Sequence, residues 1–532
     1  MKKLSVLALV ATLLTAACGV REYSPVNVID PSNTLYIALE WPTGAPHDGE
    51  DPDWNTSCSN PAGAVGESVV DLVLAEAVMI AYAEDYGVVH LCAGTYETDD
   101  IIEFDNLGSI TIEGDGIDET IISGTGGADH ALLAMVSVEC LLEDEPCPSF
   151  FNVLTLKDLT LTNGVGGDEV FDIDIDGDLD REDGIPMLAG GAVTAPLVAT
   201  ERVRFSNNSA PCGGAIALYG WTQLISDGEL TAIEEGVGDE AEAVAVVSEY
   251  FSSLISLGSS QITDTEFIEN SAAIGGAIGG APLGAFAGGE EVISCLNTGP
   301  LSIVNSTFEG NQAVFEVDTG IEFGGGAIAT ANLFILELGL DPGVEAEPYL
   351  TIFNRDVWLN ISGSTFTDNY GAQVGGAVIA YGKTSISRTA FTNNSVDPLA
   401  SGTAGGAIAL VGELSLSYSK FVGNSATSGG AVALLDTFGG EHVLRRNTFT
   451  QNFATDQGGA ISGWVADGVA RGNRFTSNRA PLGSAVAVET ERCSRSVSRR
   501  EARDWKGNTF RSNRGGRLPV ECYVEPPPPP PG

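Results

Sequence analysis

Phe391-Thr392-Asn393-Asn394, followed by Gly405-Gly406-Ala407-Ile408-Ala409-Leu410, is the stretch on which the fold turns. Along an extended strand side chains alternate between faces, so Phe391 and Asn394, three apart, cannot share one face. The phenylalanine is expected to point inward. The asparagine is expected at a bend, where its short polar side chain tolerates left-handed backbone angles. The glycine pair permits a second sharp bend. After it, Ile408 and Leu410 fall on one face and Ala407 and Ala409 on the other. The small strip is expected on the outside, either as a flat ligand platform or as the place where insertions lie down; the second reading is preferred.

Outward from this stretch the pattern repeats. Phe205/Asn208, Phe267/Asn270, Phe308/Asn311, Phe366/Asn369, Phe391/Asn394, Phe421/Asn424, Phe449/Asn452, Phe475/Asn478 and Phe510/Asn513 share the FxxN form. Most are followed by Gly-Gly-Ala and a branched aliphatic, as at Gly213–Ile216, Gly275–Ile278, Gly325–Ile328, Gly429–Val432 and Gly458–Ile461, with a worn Gly483-Ser484-Ala485-Val486. From Phe366 to Phe475 the phenylalanines stand 25, 30, 28 and 26 residues apart. A period in the twenties, with short apolar alternation and no helical spacing, is one coil of a solenoid. The class is all-β, a right-handed parallel β-helix in which each phenylalanine stacks on the next and the asparagines form a side-chain-to-backbone ladder.

Upstream, Val65 to Tyr82 is apolar at helical spacing and is expected to cap the N-terminal end. Val88–Tyr96, Ile110–Gly114 and Thr120–Gly124 read as opening coils. About a dozen coils are expected, roughly 55–60 Å long at ~4.8 Å per strand. The expected division is a signal peptide at 1–17, a linker at 18–60, a capping-helix region at 61–87, the β-helix at 88–520 and a proline-rich tail at 521–532. Insertions are placed near 165–189, 217–260, 279–303 and 329–360. No β-barrel segment is expected after Pro526–Pro531, which forms a stiff polyproline end.

The paired FxxN and GGA[IV] motifs over about residues 158–516 resemble the repeats of the chlamydial polymorphic outer-membrane proteins. That resemblance implies a surface-displayed β-helix used in adhesion. At the start, Lys2 and Lys3, an apolar Leu4–Leu14 and the small residues Thr15-Ala16-Ala17 form a secretory signal, too short for a stable membrane span. With Cys18 they resemble the lipobox of bacterial lipoproteins, which implies a lipid anchor on Cys18 and residence at the outer membrane or cell surface. The alternative is cleavage after Ala17 with Cys18 a free or paired thiol.

The other eight cysteines, Cys58, Cys92, Cys140, Cys147, Cys212, Cys295, Cys493 and Cys522, point to disulfides outside the cytoplasm, most easily local ones such as Cys140 with Cys147. Twenty-five basic residues against 72 acidic ones give a net charge of −47, which repels nucleic acid and anionic lipid. The exception lies between Glu491 and Arg517, where nine basic residues face three acidic ones. A solvated capping segment is the preferred reading there; contact with anionic polysaccharide or lipopolysaccharide is the sharper one.

Asp172, Asp174, Asp176, Asp178 and Asp180, with Gly177 at position 6 and Asp183 at position 12, have the spacing of an EF-hand-type calcium loop. Structural Ca2+ is therefore expected. Gly94-Thr95-Tyr96-Glu97 is similar to one motif of the pectin esterases, but their other signatures are absent. The histidines His47, His90, His130 and His442 stand isolated in sequence, and no catalytic residue is assigned. The reading adopted is a non-enzymatic surface scaffold for adhesion to a glycan or surface protein. The alternatives are a carbohydrate-active β-helix enzyme and a purely structural envelope protein.

Overall fold

The computed structural model describes residues 34–40, 57–59, 61–66, 68, 70–83, 86–105, 109–125, 131–136, 152–171, 185–188, 190–218, 259–280, 299–314, 324–331, 334–336, 350–352, 357–397, 402–435, 442–464, 468–489, 493–494, 498, 505 and 507–523. The signal, Cys18, the aspartates from Asp172 to Asp183, Cys140, Cys147, Cys295, residues 499–504 and the proline tail lie outside them. The described chain is a parallel β-helix. One sheet of 23 strands and one of twelve run its length, and one of nine runs from Ser209–Cys212 to Arg514-Gly515, with strands paired to their equivalents in the next coil. Parallel crossovers of this kind are right-handed in nearly all proteins.

Coil 10 shows the plan. Val443–Arg445 and Thr448–Thr450 lie in the large sheet, Phe453–Gln457 in the nine-stranded sheet and Ile461–Trp464 in the twelve-stranded sheet. Coil 11 then begins with Val469–Arg471, in parallel register on Val443–Arg445. Twelve coils are present among the described residues, counted on the twelve-stranded sheet from Ile102–Asp105 to Val520–Tyr523.

Burial decides what faces inward. Phe205, Phe267, Phe308, Phe366, Phe391, Phe421, Phe449 and Phe475 are fully buried and stacked, with ring centroids 4.6–5.0 Å apart and nearly parallel planes. Val378, Ile408, Val432, Ile461, Val486 and Val520 line up in register as a second inward column. Each ring or branched side chain removes most of its apolar surface from water, worth about 1.5–3 kcal/mol.

The asparagines form the second half of the repeat. Asn394 donates Nδ2 to Asn424 Oδ1 at 3.1 Å and to Phe366 O at 2.9 Å, while its own Oδ1 accepts Nδ2 and N of Asn369 at 2.9 and 3.1 Å. The same pattern runs from Asn208 to Asn513. Within it, Asn270 Nδ2 reaches Asn311 Oδ1 at 3.0 Å, Asn311 Nδ2 reaches Asn369 Oδ1 at 2.9 Å, and Asn452 Nδ2 reaches Asn478 Oδ1 at 2.9 Å.

The ladder is as expected, but the bend is not where it was expected. Asn208, Asn270, Asn311, Asn369, Asn394, Asn424, Asn452 and Asn478 are all fully buried, and none of them has the left-handed backbone assigned to it from the sequence. Left-handed φ belongs instead to the residue before each one: Asn207, Glu269, Gly310, Asp368, Asn393, Gly423, Gln451 and Ser477. That residue turns the chain so that the asparagine points in and reaches its neighbour.

A parallel ladder lies two residues before each phenylalanine from Phe267 to Phe510. Thr265, Ser306, Ser364, Thr389, Ser419, Asn447, Asn473 and Asn508 follow their own left-handed residues. Ser306 N reaches Ser364 Oγ at 3.1 Å, and Asn447 Nδ2 reaches Asn473 Oδ1 at 3.0 Å.

The Gly-Ala strip is covered. Ala407 lies in the main core beside Ile408 and Leu410. Ala409 faces away but is buried with Val374, Ile379, Ala404 and Ala433. Gly405, at φ 69°, turns the chain where a Cβ would meet the backbone of Ile408 and Ala409, and the insertions expected on the strip lie mostly outside the described residues.

At the N-terminal end, helix α1 (Val70–Ala83) starts five residues later than its periodicity suggests. Val70, Leu74, Ala77, Val78 and Ala81 form its buried face against the core, and Leu72, Met79 and Ile80 remain exposed. The segment expected as linker contains a strand. Thr34–Ala38 pairs in parallel with Val88–Leu91 and with Gly63-Ala64. Two insertions have antiparallel stems. Asp168–Phe171 pairs with Ile185–Leu188, and Phe334–Leu336 pairs with Leu350–Ile352.

Candidate functional site: the outer strand face and the His90 cluster

Side chains flanking each buried phenylalanine point outward. Parallel pairing in exact register sets them in columns about 4.8 Å apart. One column runs Arg204, Glu266, Thr307, Thr365, Ala390, Lys420, Thr448, Arg474, Thr509. The neighbouring column runs Ser206, Ile268, Glu309, Thr367, Thr392, Val422, Thr450, Thr476, Arg511. Across the bend, Ser302, Asn360, Ser385 and Ser415 continue the hydroxyl-rich surface. Short β-branched or hydroxylated side chains leave this face shallow and regular. It offers repeated hydrogen-bonding groups to something extended.

Charge is distributed unevenly along it. Near the N-terminal half, Arg202 grips Asp158 through two bonds of 2.6 and 2.7 Å and also meets Glu201. Arg204 spans Glu266 and Asp118, both at 2.7 Å. Hydrogen bonds to these carboxylates raise both guanidinium pKa values. Lys157 reaches Glu201 at 3.9 Å, and Lys383 reaches Glu413 at 3.6 Å. Apart from Arg202 with its chain neighbour Glu201, these are cross-coil ties, each worth about 1 kcal/mol or less at such exposure.

The other chemically distinctive place is on the first two coils. His90, on the strand Val88–Leu91, has Nδ1 3.0 Å from Glu113 Oε1 and Nε2 3.1 Å from Asp115 Oδ1. A neutral imidazole has one N–H, so two carboxylate partners favour the doubly protonated cation. Burial works against that charge, but hydrogen bonds to Glu113 and Asp115 outweigh it and the net pKa is raised. Asp115 Oδ2 also accepts the backbone N–H of Ala93 at 2.7 Å. His90 is thus not isolated. Its partners are 23 and 25 residues on, one coil away. The sulfur of Cys58 lies in the same cluster with His90 and Asp115, but Cys58 is bonded to Cys92, so its sulfur is no thiolate ligand for a metal. Tyr96 is buried and donates its hydroxyl to Cys92 O at 2.8 Å, which makes it part of the core rather than a proton donor to substrate.

Of the residues singled out in the sequence, the structure brings the phenylalanines and the asparagines, Asn270, Asn311 and Asn478 among them, into two internal columns. They build the scaffold: the eight pairs from Phe205/Asn208 to Phe475/Asn478 are buried, and the terminal Phe510 and Asn513 are half-buried. The metal-loop aspartates and Cys18 are outside the described residues. The stem Asp168–Phe171 with Ile185–Leu188 holds the two ends of the aspartate segment together, with Phe171 opposite Ile185. Cys58–Cys92 and Cys493–Cys522 are disulfides, and Cys212 is also disulfide-bonded.

A family model for the Chlamydia polymorphic membrane protein repeat matches residues 448–463, the span holding Phe449, Asn452 and Gly458-Gly459-Ala460. No curated protein matches the chain. Among solved structures it is similar to the Agl-KA catalytic domain, at 10% identity and TM-score 0.38, covering 94% of this chain and 70% of that one. It is also similar to PfbA, a surface adhesin of Streptococcus pneumoniae, at 13% identity and TM-score 0.34, with coverages of 92% and 93%. A third is the catalytic unit of a GH87 α-1,3-glucanase from Streptomyces thermodiastaticus, at 9% identity and TM-score 0.30, with coverages of 85% and 67%. At such identities the likeness concerns fold alone, because function lives in the site grafted on the fold.

Proposed function

We propose that this chain is a non-enzymatic adhesion scaffold displayed at the outer membrane or cell surface, anchored by lipid at Cys18, binding a glycan or a surface protein along its strands. The observation that supports this reading is the outer face of the large sheet. Thr307, Thr365, Thr367, Thr392, Thr448, Thr450, Thr476 and Thr509 repeat there in register along successive coils. A shallow repeating face suits an extended ligand that makes many weak contacts, whereas a small substrate needs a concave pocket with a few convergent groups. Calcium held by Asp172, Asp174, Asp176, Asp178, Asp180 and Asp183 is proposed to order the tip of the insertion between Phe171 and Ile185.

The test is a glycan array probed with the purified chain lacking residues 1–18, in calcium and in chelator, with product analysis of every hit. Binding with the glycan intact supports adhesion, and loss in chelator assigns the calcium loop a part in it. Shortened or unsaturated products would replace this reading with the enzymatic one.

A further inference from the structure

The last three coils carry a surface unlike the rest of the molecule. Arg445, Arg446, Arg471, Arg474, Arg479, Arg511, Arg514 and Arg517 are all exposed there. The described acidic residues of the same coils are Asp456, Glu489 and Glu521. Glu521 is buried and accepts backbone N–H groups of Gly483 and Leu518, so it does not face the arginines. Among the described residues, none of the eight arginines forms an ion pair, in contrast to Arg202 and Arg204 on coil 4.

Register makes the arrangement costly. Arg445 lies opposite Arg471, and Arg479 opposite Arg514, each one strand spacing apart. Arg474 sits one coil below Thr448, and Arg511 one coil below Thr476. Like charges directly opposite on neighbouring strands destabilise a sheet. On coils 4 and 5, by contrast, Arg204 lies opposite Glu266, an opposite-charge pair. Among the described residues the C-terminal coils show no such carboxylate partner, and two of the guanidiniums are held against aromatic rings instead. Arg446 lies 5.5 Å over the Tyr418 ring and donates to its hydroxyl at 2.9 Å; Arg479 lies 5.5 Å over Phe453. A planar guanidinium fixed by an aromatic face keeps its remaining N–H groups free for a planar anionic partner.

We infer that this arginine surface is a binding site for a linear anionic polysaccharide bearing carboxylate or sulfate groups, lying across coils 10 to 12. The inference deepens the adhesion reading by naming the chemical class of its ligand. The remainder of the chain decides among polyanions. A net charge of −47 repels a planar anionic membrane or a duplex of high charge density, both of which would press against the acidic body as well as the arginines. A single flexible chain with spaced charges touches the arginine surface alone and leaves the rest free. Rungs about 4.8 Å apart present charge at about the length of one sugar unit along the solenoid axis.

The experiment measures binding of the purified chain to carboxymethyl-dextran and dextran sulfate, with neutral dextran, duplex DNA and phosphatidylglycerol vesicles as comparators. The chain is compared with the triple variant Arg471→Ala, Arg474→Ala, Arg479→Ala and with the same three positions changed to Lys. Expected are binding to both charged dextrans that weakens as salt rises, at least tenfold weaker binding by the alanine variant, and intermediate binding by the lysine variant. Thermal melting should be equal or raised in the alanine variant, because repulsion is relieved. The inference is overturned if neither charged dextran binds at low salt, if the alanine variant binds as well as the native chain, or if DNA or vesicles bind in preference. A neutral glycan that binds native chain and variant alike would leave adhesion standing and remove only the anionic ligand.

Discussion

At the scale of the residue, one asparagine ties its coil to the neighbouring ones. Removing the Asn394 side chain leaves N and Nδ2 of Asn369 without their acceptor inside a buried column. Buried donors so stranded cost about 1–3 kcal/mol each. Asn394→Ala is therefore expected to destabilise by about 3 kcal/mol in urea unfolding; a loss under ~0.5 kcal/mol would mean the ladder is dispensable. His90 makes a different kind of contribution. Its raised pKa means the ties to Glu113 and Asp115 are complete below the unfolded value of ~6.5 and are lost as pH climbs through the higher folded value. Urea unfolding at a series of pH values should show the native chain losing stability over that window, and His90→Gln staying flat. A parallel decline in both would assign the titration elsewhere.

At the scale of the element, the two bends of a coil differ in how openly the sequence writes them. Gly405 needs its left-handed φ, and Gly406 needs to lack a side chain: a Cβ there would lie 2.3 Å from Gly430 O and 2.5 Å from Ser425 N. Gly406→Ala is expected to cost about 1–3 kcal/mol, read as a lowered melting temperature with the fold retained; an unchanged melting temperature would show that adjacent coils yield freely. This bend was legible because glycine fills its left-handed position from Gly213 to Gly483, and the crowded position after it in every one of these copies but Ser484. The phenylalanine column was legible too, since a large side chain returning at a nearly fixed interval has only one place to go. The asparagine bend was misplaced by one residue because its left-handed position is filled variously by Asn, Glu, Gly, Asp, Gln and Ser, whose variety hides the shared backbone state. Before Asn270, Asn311 and Asn478 that position holds Glu269, Gly310 and Ser477, three residues with no chemistry in common. The ladder from Thr265 to Asn508 stayed hidden for a like reason: hydroxyls give way to amides along it. His90 escaped notice because the early coils carry no FxxN marker to set their register, so Glu113 and Asp115 could not be aligned with it. The strand Thr34–Ala38 is five residues long and meets its partner about fifty residues on, which no local pattern announces.

At the scale of the whole molecule, charge and attachment set how the solenoid meets its surroundings. Cys18→Ser is expected to move the chain from the detergent-extracted membrane fraction to the soluble exported fraction. Equal fractionation of the two would remove the lipid anchor from the proposal. The acidic body and the arginine-rich last coils divide the rod into two ends of unlike character, and such asymmetry orients a molecule toward a polyanion before contact. The two disulfides near the ends have a further consequence. Cys58–Cys92 joins the segment before α1 to the first coil, and Cys493–Cys522 joins the last strand to the segment preceding its coil. A stack stabilised by nearest neighbours frays from its outermost turns, which have a partner on one side only. Thread sewn through both selvedges keeps a woven cloth from running; here these two stitches sit at the turns where peeling by heat, shear or a protease would start.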